Sequence, residues 1–469
     1  MNWMVLKKQT ELNATIILNI AGSAILQGIA FMTIPIFTRV LGSEQYGLYA
    51  VFSSWVSIFS TFISFGLSFC IGSGRYFYKQ EYYNFRNNIV FFATIVALCV
   101  MIACIIFYST LYPIVLYDFR MYLFMLLTAV SSNIISMITS ILIYEKKAVL
   151  NFALSVFLSL STVILSLIII YNFNFNNLYE GRVIGHCIPY ALMALALNIY
   201  VFKTCSFSID GKYFRYGIIV GGPVVFHQLS HFLLAQSDRV MMRKMGISNT
   251  DIGVYSLFYS FCGVTSIILN AFNSSFSPFY SDYIDEDNKT LLLSKSKNYL
   301  ELYTVICIGF LLFSREVSYL MADSEYYIGI ELIPLFVCSV YFMFMYQFAV
   351  NYEFYYRRTK TIAIGTACAA LLNIILNIYF IKAHGMYGAA IATIISYGAL
   401  FLFHYIIAKN MEAKRFYFDF KFFFPGIIFM IVAVYLFYSL SGYVFIRWVL
   451  GIMIGVTELI IIIRRKSIF

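Results

Sequence analysis

Fourteen stretches of mostly apolar residues follow one another along the 469-residue chain, and this recurrence limits its fold more than any other feature. They cover approximately 12–37, 46–73, 89–111, 119–143, 150–171, 181–203, 214–238, 252–277, 299–321, 328–352, 362–381, 386–408, 422–440 and 444–463. Crossing the hydrocarbon core of a bilayer takes roughly 20 such residues as a helix. Lipid offers no partner for backbone N–H and C=O groups, so each stretch must satisfy its own, which selects helices. Composition agrees: 61% of residues are hydrophobic and 12% charged, against about a quarter charged in soluble proteins. The expected fold is an all-α integral membrane protein of about fourteen transmembrane helices. The longest expected loop, Phe279 to Asn298, leaves no room for a folded soluble domain. The first run follows Lys7 and Lys8 but is too long for a signal peptide and lacks a small-residue cleavage site, so it reads as a retained helix.

The net charge of +10 would suit a nucleic-acid partner, yet the basic residues sit singly or in twos and threes between apolar runs. No basic module of the size nucleic acid requires is present. With the N-terminus in the cytoplasm, most Lys and Arg fall in cytoplasmic segments; Arg39, Arg120, Arg182, Arg239, Arg243, Lys244, Arg315, Lys382 and Arg447 are the exceptions. This positive-inside bias over short loops places both termini in the cytoplasm. The nine cysteines are scattered without a CxxC pair, which reads as free thiols and no metal site. The acidic run Asp282, Asp285, Glu286, Asp287 lacks the glycine and spacing of a calcium loop and reads as a solvated turn. No nucleotide-binding or catalytic motif is present, and the chain reads as a non-enzyme without a cofactor.

A repeat organises the helices. RVLG at Arg39–Gly42, then YGLYA at Tyr46–Ala50, matches RKMG at Arg243–Gly246, then IGVYS at Ile252–Ser256. A weaker echo pairs LYEG at Leu178–Gly181 with GMYG at Gly385–Gly388. Helices 1–6 therefore correspond to helices 7–12 in the same orientation, the plan of a two-lobed transporter with an axis along the membrane normal. The expected division is 1–205 for the first lobe, 206–410 for the second and 411–469 for helices 13 and 14.

Polar residues on spanning helices are costly unless they face protein or water. Thr15, Asn19, Ser23 and Gln27 form one stripe on helix one, at a spacing of one helical face. Helix two carries Ser57, Ser60, Ser64 and Ser68, and the same face leads to Arg75. Helix seven has His227, Ser230, His231 and Asp238; helix eight has Asn270, Asn273, Ser274 and Ser277. A shared hydrophilic cavity is one reading; helix–helix glue is the other, and Ser132, Ser136 and Ser140 on helix four fit that second reading as well. Arg39 and Arg239 near the outer helix ends fit either a cavity mouth or snorkelling to headgroups. Arg75 at the inner end fits either an anionic headgroup, which guanidinium binds bidentately, or a positive-inside anchor. Asp238 fits either a counter-ion to Arg239 or an acid that takes up a proton or sodium. Tyrosine clusters at Tyr76, Tyr78, Tyr82 and Tyr83 and at Tyr352, Tyr355 and Tyr356 read as an interfacial belt, or as rings for stacking on sugars.

Together PIFTRVLGSEQYGLYA at Pro35–Ala50, QSDR at Gln236–Arg239, IGVYS and MYGAAIAT at Met386–Thr393 resemble bacterial polysaccharide-repeat flippases. These are the O-antigen and capsule (Wzx-type) exporters of the multidrug/oligosaccharidyl-lipid/polysaccharide superfamily. The resemblance implies a bilobed bundle that moves an undecaprenyl-pyrophosphate-linked oligosaccharide to the outer leaflet of the bacterial cytoplasmic membrane by alternating access. It further implies that helices 1, 2, 7 and 8 line a cationic cavity, and that helices 13 and 14 form a groove for the lipid tail as in fourteen-helix lipid II flippases. Helix one lacks the central buried arginine of those flippases, which argues against a peptidoglycan precursor. On this reading Arg75 captures the headgroup inside, His227 and His231 lie mid-cavity, and Arg39, Arg239 and Arg243 act near the outer mouth. Asn19, Ser23, Gln27, Ser64, Ser68, Asn270 and Asn273 line the cavity, and Asp238 couples to a proton or sodium gradient. Expected partners are the lipid-linked oligosaccharide, membrane lipids, and polysaccharide polymerase with chain-length machinery. The alternatives are a drug or cation antiporter of the same superfamily and a membrane polysaccharide polymerase.

Overall fold

The structure, a computed structural model, describes the backbone of residues 2–204, 208–411 and 415–465, and the side chains of 28, 29, 31–203, 208–411 and 415–465. It is all-helical, with no strand among the described residues. The helices are α1 (Asn2–Ser64), α2 (Cys70–Tyr78), α3 (Tyr82–Ile106), α4 (Tyr108–Val115), α5 (Phe119–Tyr144), α6 (Ala148–Asn172), α7 (Leu178–Thr204) and α8 (Gly211–Lys244). They continue as α9 (Asn249–Asp285), α10 (Lys289–Met321), α11 (Ile333–Tyr355), α12 (Thr359–Lys409), α13 (Phe424–Ser439) and α14 (Val444–Arg465). Among the described residues, 11 helical stretches are long and apolar enough to cross a membrane, and α13 is a shorter apolar helix.

Two of these helices contain two passes each. Straight, the 51 residues of α12 would extend about 77 Å, more than twice the ~30 Å hydrocarbon core. Helical dihedrals break at Gly385 (φ 55°), and an added Cβ at Gly388 would lie 1.9 Å from the Phe380 carbonyl oxygen. Residues eight apart in a continuous helix are about 12 Å apart, so the chain doubles back there. Helix α1 breaks likewise at Gly42 (φ 69°). Its counterpart in the repeat, Gly246, also has a positive φ of 80°. Both glycines of the RVLG/RKMG pair thus occupy the left-handed region that glycine reaches without a Cβ penalty. With these two breaks the passes match the expected fourteen.

Three boundaries differ from expectation. The second pass ends at Ser64, because Phe65 (φ 46°) and Gly66 (φ 70°) turn the chain before α2. Arg75 therefore does not continue the helical face of Ser57 to Ser68. The third span begins at Tyr82 and ends at Ile106, with α4 separate. The expected long loop from Phe279 to Asn298 is mostly helix, since α9 runs to Asp285 and α10 starts at Lys289. Asn288 caps α10 by accepting the Leu291 amide at 3.1 Å. The acidic turn is tied down, with Tyr355 donating to Asp285 at 3.0 Å and Tyr417 to Asp287.

The chain forms two compact units, Met1–Lys244 and Met245–Phe469. In the first, the break after Ser64 seats on α8: an added Cβ at Gly66 would lie 2.1 Å from the Gly221 carbonyl oxygen, and one at Gly221 2.3 Å from that of Gly66. Only glycine at both positions lets the two backbones meet. At the α5–α6 turn Arg86, buried, donates to Glu145 at 2.8 Å, and Lys147 reaches the same carboxylate at 2.7 Å. In the second unit, buried tyrosines place their rings in the core and their hydroxyls on backbone carbonyls, Tyr280 on Phe348 at 2.8 Å and Tyr303 on Thr265 at 3.0 Å. A buried phenol needs such a partner. Tyr82 and Tyr352 from the expected belts are buried, whereas Tyr76 and Tyr83 are exposed. Helix α14 joins α10 through the buried Arg447, which pairs with Glu316.

Candidate functional site

A groove of about 720 Å³ opens in the second unit between α10, α13 and α14. Two glycines shape it. Gly426 lets the Tyr341 hydroxyl come within 2.0 Å of where a Cβ would stand, and Gly451 admits the Phe313 ring to 2.6 Å. Each outer helix is thereby drawn onto the body of the unit at one point, leaving the trough beside it. Its walls are aliphatic and aromatic, with Ile308 from α10, Phe429 from α13 and Met453, Ile454 and Ile461 from α14.

One end of the groove is charged: Lys297, Glu301, Lys421 and Arg465 stand there. Arg465 donates to Glu301 at 2.8 Å, and Lys297 approaches the same carboxylate at 3.8 Å. Three cations against two carboxylates, Glu301 and the neighbouring Glu458, leave that end net positive. Glu458, 7% exposed, also lines the groove, and its Oε1 has no hydrogen-bond partner. An apolar trough with a cationic end suits an amphiphile with a long hydrocarbon chain and an anionic head. The three cations enter the sequence reading only as positive-inside residues; the usable signal was the 450, 453, 454, 457, 458, 461, 465 spacing, one continuous face of α14.

The residues singled out from sequence are distributed as follows. Asn19, Ser23 and Gln27 lie outside the described side chains. Ser64 and Ser68 line one small pocket in the first unit, together with Ser57 and Ser60. Arg75 is half-buried, its guanidinium 5.3 Å from the Tyr82 ring centroid. On α8, His227 is half-buried with Nδ1 lacking a partner, and His231 is exposed. Asp238 is fully buried and Arg239 is 4% exposed. Arg239 donates to Gln236 Oε1 at 2.8 Å, and the same oxygen accepts from Ser54 at 3.3 Å, which links α8 to α1. Arg243 donates to the Leu116 carbonyl at 2.7 Å and lies 4.0 Å over the Tyr117 ring. Arg39 is exposed beside the Gly42 break.

Arg182, which the sequence reading did not single out, stands 3.6 Å over the Phe37 ring and donates to Ser166 at 2.9 Å. In the second unit Asn270 is exposed. Asn273 donates to Gln347 at 3.3 Å and accepts from Asn351 at 2.9 Å. Among the described residues no group of three or more His, Cys, Asp or Glu could hold a metal ion.

A family model described as "Polysaccharide biosynthesis protein" matches residues 12–284. A protein of the Lsg locus of Haemophilus influenzae is 24% identical over 360 residues, covering 74% of this chain and 85% of that one. An uncharacterized membrane protein of the same organism is 23% identical over 351 residues, covering 73% and 84%. Among solved structures, lipid II flippase MurJ in an inward closed conformation superposes with a TM-score of 0.73 at 16% identity, covering 96% of this chain and 99% of that one. An inward-facing multidrug resistance MATE family transporter of the MOP superfamily gives 0.64 at 15% identity, covering 82% and 94%. At these identities the structures show a shared fold, while the family match bears out the resemblance read from the motifs.

Proposed function

The chain belongs to the polysaccharide biosynthesis protein family, and on that premise we propose that it flips an undecaprenyl-pyrophosphate-linked oligosaccharide across the bacterial cytoplasmic membrane. The carrying observation is the groove between α10, α13 and α14, an apolar channel with Lys297, Lys421 and Arg465 at one end. A polyprenyl chain would lie in the trough while its phosphates meet the cations. Movement is by alternating access, with both termini in the cytoplasm and the product passed to polymerase and chain-length machinery. Arg75 contributes to capture of the head, His227 and His231 to its passage, and Arg39, Arg239 and Arg243 to its release. Asn270 and Asn273 offer polar contacts, and Asp238 is the group for proton or sodium coupling.

The test is complementation of a deletion strain, read as surface polysaccharide and as lipid-linked repeat units accumulating in the membrane. Ile454→Trp, which fills the groove, should lower export about tenfold, equivalent to ~1.4 kcal/mol, at normal protein level. Unchanged export would remove the groove from the mechanism. Arg75→Ala and Arg239→Ala should each reduce export, and the pair should reduce it further; full export in the double variant overturns those two assignments. A deletion that leaves surface polysaccharide intact but sensitises cells to drugs would identify an antiporter. Polymerised product from the purified protein would identify a polymerase.

A further inference from the structure

In the first unit, where α1 stops at Ser64, lies a second, partly open pocket of about 330 Å³, at the lower end of small-ligand pockets (about 300–1,000 Å³). Its polar wall includes Ser60, Ser64, Ser68, Ser136, Asn133 and Gln228, and among the described residues no charged one lines it. Two wall hydroxyls spend their protons on their own helix, Ser57 on Ser53 O at 3.0 Å and Ser64 on Thr61 O at 2.8 Å. Ser57 keeps its oxygen lone pairs as acceptors, and Ser64, which accepts the Gly66 amide at 3.2 Å, keeps one. Asn133 supplies the missing donor: it is 3% exposed, lines the cavity, and its Nδ2 has no hydrogen-bond partner. A buried amide N–H left unpaired costs about 1–3 kcal/mol, which a bound acceptor would relieve. Phe69 and Phe232 complete the wall with ring surface.

We propose that this pocket is a carbohydrate subsite that takes one neutral sugar residue of the carried oligosaccharide. Sugar hydroxyls can donate to the Ser57 and Ser64 oxygens, and a ring or acetamido oxygen is the acceptor that Asn133 lacks. The phenylalanine rings offer their faces to the C–H surface of a pyranose. Among the described wall residues no Lys or Arg is there to pair with an acidic sugar or a phosphate, and no Asp or Glu to pair with a cationic drug. The inference rests on the reading of the chain as an oligosaccharide carrier.

The test uses the purified full chain in lipid nanodiscs free of sugar detergents, with N,N′-diacetylchitobiose as the neutral probe and glucuronic acid and inorganic pyrophosphate as anionic ones. Saturation-transfer NMR should show saturable chitobiose binding, weakened about tenfold in Asn133→Leu, and no displacement by either anion. Ser136→Leu, at an exposed wall position, carries the same expectation should Asn133→Leu fail to fold. Equal chitobiose binding in wild type and a folded variant, or displacement by glucuronic acid, overturns the subsite. Failure of the two readings is distinguishable. A chain required for polysaccharide export that ignores chitobiose loses the subsite alone. Asn133-dependent chitobiose binding in a chain whose deletion leaves export intact supports a neutral-sugar site and overturns the carrier reading alone.

Discussion

Gly221→Ala should cost about 3 kcal/mol of stability and most export, while Gly222→Ala, one residue on, should be close to silent. The added methyl at 221 would stand 2.3 Å from the Gly66 carbonyl oxygen, whereas nothing lies within 4 Å of a Cβ at 222. Overpacking typically costs about 1–3 kcal/mol, and the upper end applies because the obstacle is backbone, which has no rotamer to give way. The chain cannot relax at Gly66 either, since its φ of 70° is one that other residues adopt only with strain. At 222 the substitution meets open space and replaces a poor helix former with a good one. Thermal unfolding in detergent and surface polysaccharide in complemented cells read both effects. Equal behaviour of the two variants would show that the break after Ser64 is not seated on α8.

Glu145→Ala should destabilise the first unit by about 3–5 kcal/mol, the range for removing one partner of a buried ion pair. It would remove the carboxylate that faces Arg86, side chain 2% exposed, at 2.8 Å, a loss that neutral contacts such as the Asn87 Oδ1 at 3.0 Å do not replace. Lys147→Ala, by contrast, removes a half-exposed partner and should cost less than about 1 kcal/mol. Burial pushes the Glu145 carboxyl up, but hydrogen bonds from Lys147 and Arg86 outweigh it and hold the group below its ordinary value of 4.5. A depressed native pKa stabilises above the unfolded value, and that stabilisation is lost as pH falls through the native one. Wild type should therefore lose stability on acidification below about pH 4.5 more steeply than Glu145→Gln. Parallel acid limbs for the two proteins would contradict the pairing.

The passes were legible because lipid imposes length and apolarity on each of them, and the glycine pair Gly42 and Gly246 was legible because a left-handed turn restricts residue choice. The break after Ser64 was not, since Phe65 carries a positive φ without any sequence mark. Helix α9 continues to Asp285 past the apolar run, and charged residues there imitate a loop. For the groove, Lys297, Lys421 and Arg465 are far apart in the chain and meet only once α10, α13 and α14 pack. In the serine pocket the informative residue, Asn133, stands one position off the Ser132, Ser136, Ser140 stripe, so periodicity passed over it. Arg182 and Arg243 lie on the Phe37 and Tyr117 rings, a use of arginine that spacing does not reveal.

The pairing of Arg447 with Glu316 bears on how the chain enters the bilayer. Helix α14 carries Arg447 in its first turn and Glu458 further in, both buried in the folded protein, and an ionisable residue on a spanning segment is costly unless it is paired or reaches the interface. Alone at the translocon, α14 would carry these charges unpaired. Once α10 is in the membrane, Glu316 offers Arg447 a counter-charge and Phe313 receives Gly451. Insertion of α14 should then be a docking step that depends on a helix made more than a hundred residues earlier, and the closing of the groove becomes a checkpoint of biogenesis.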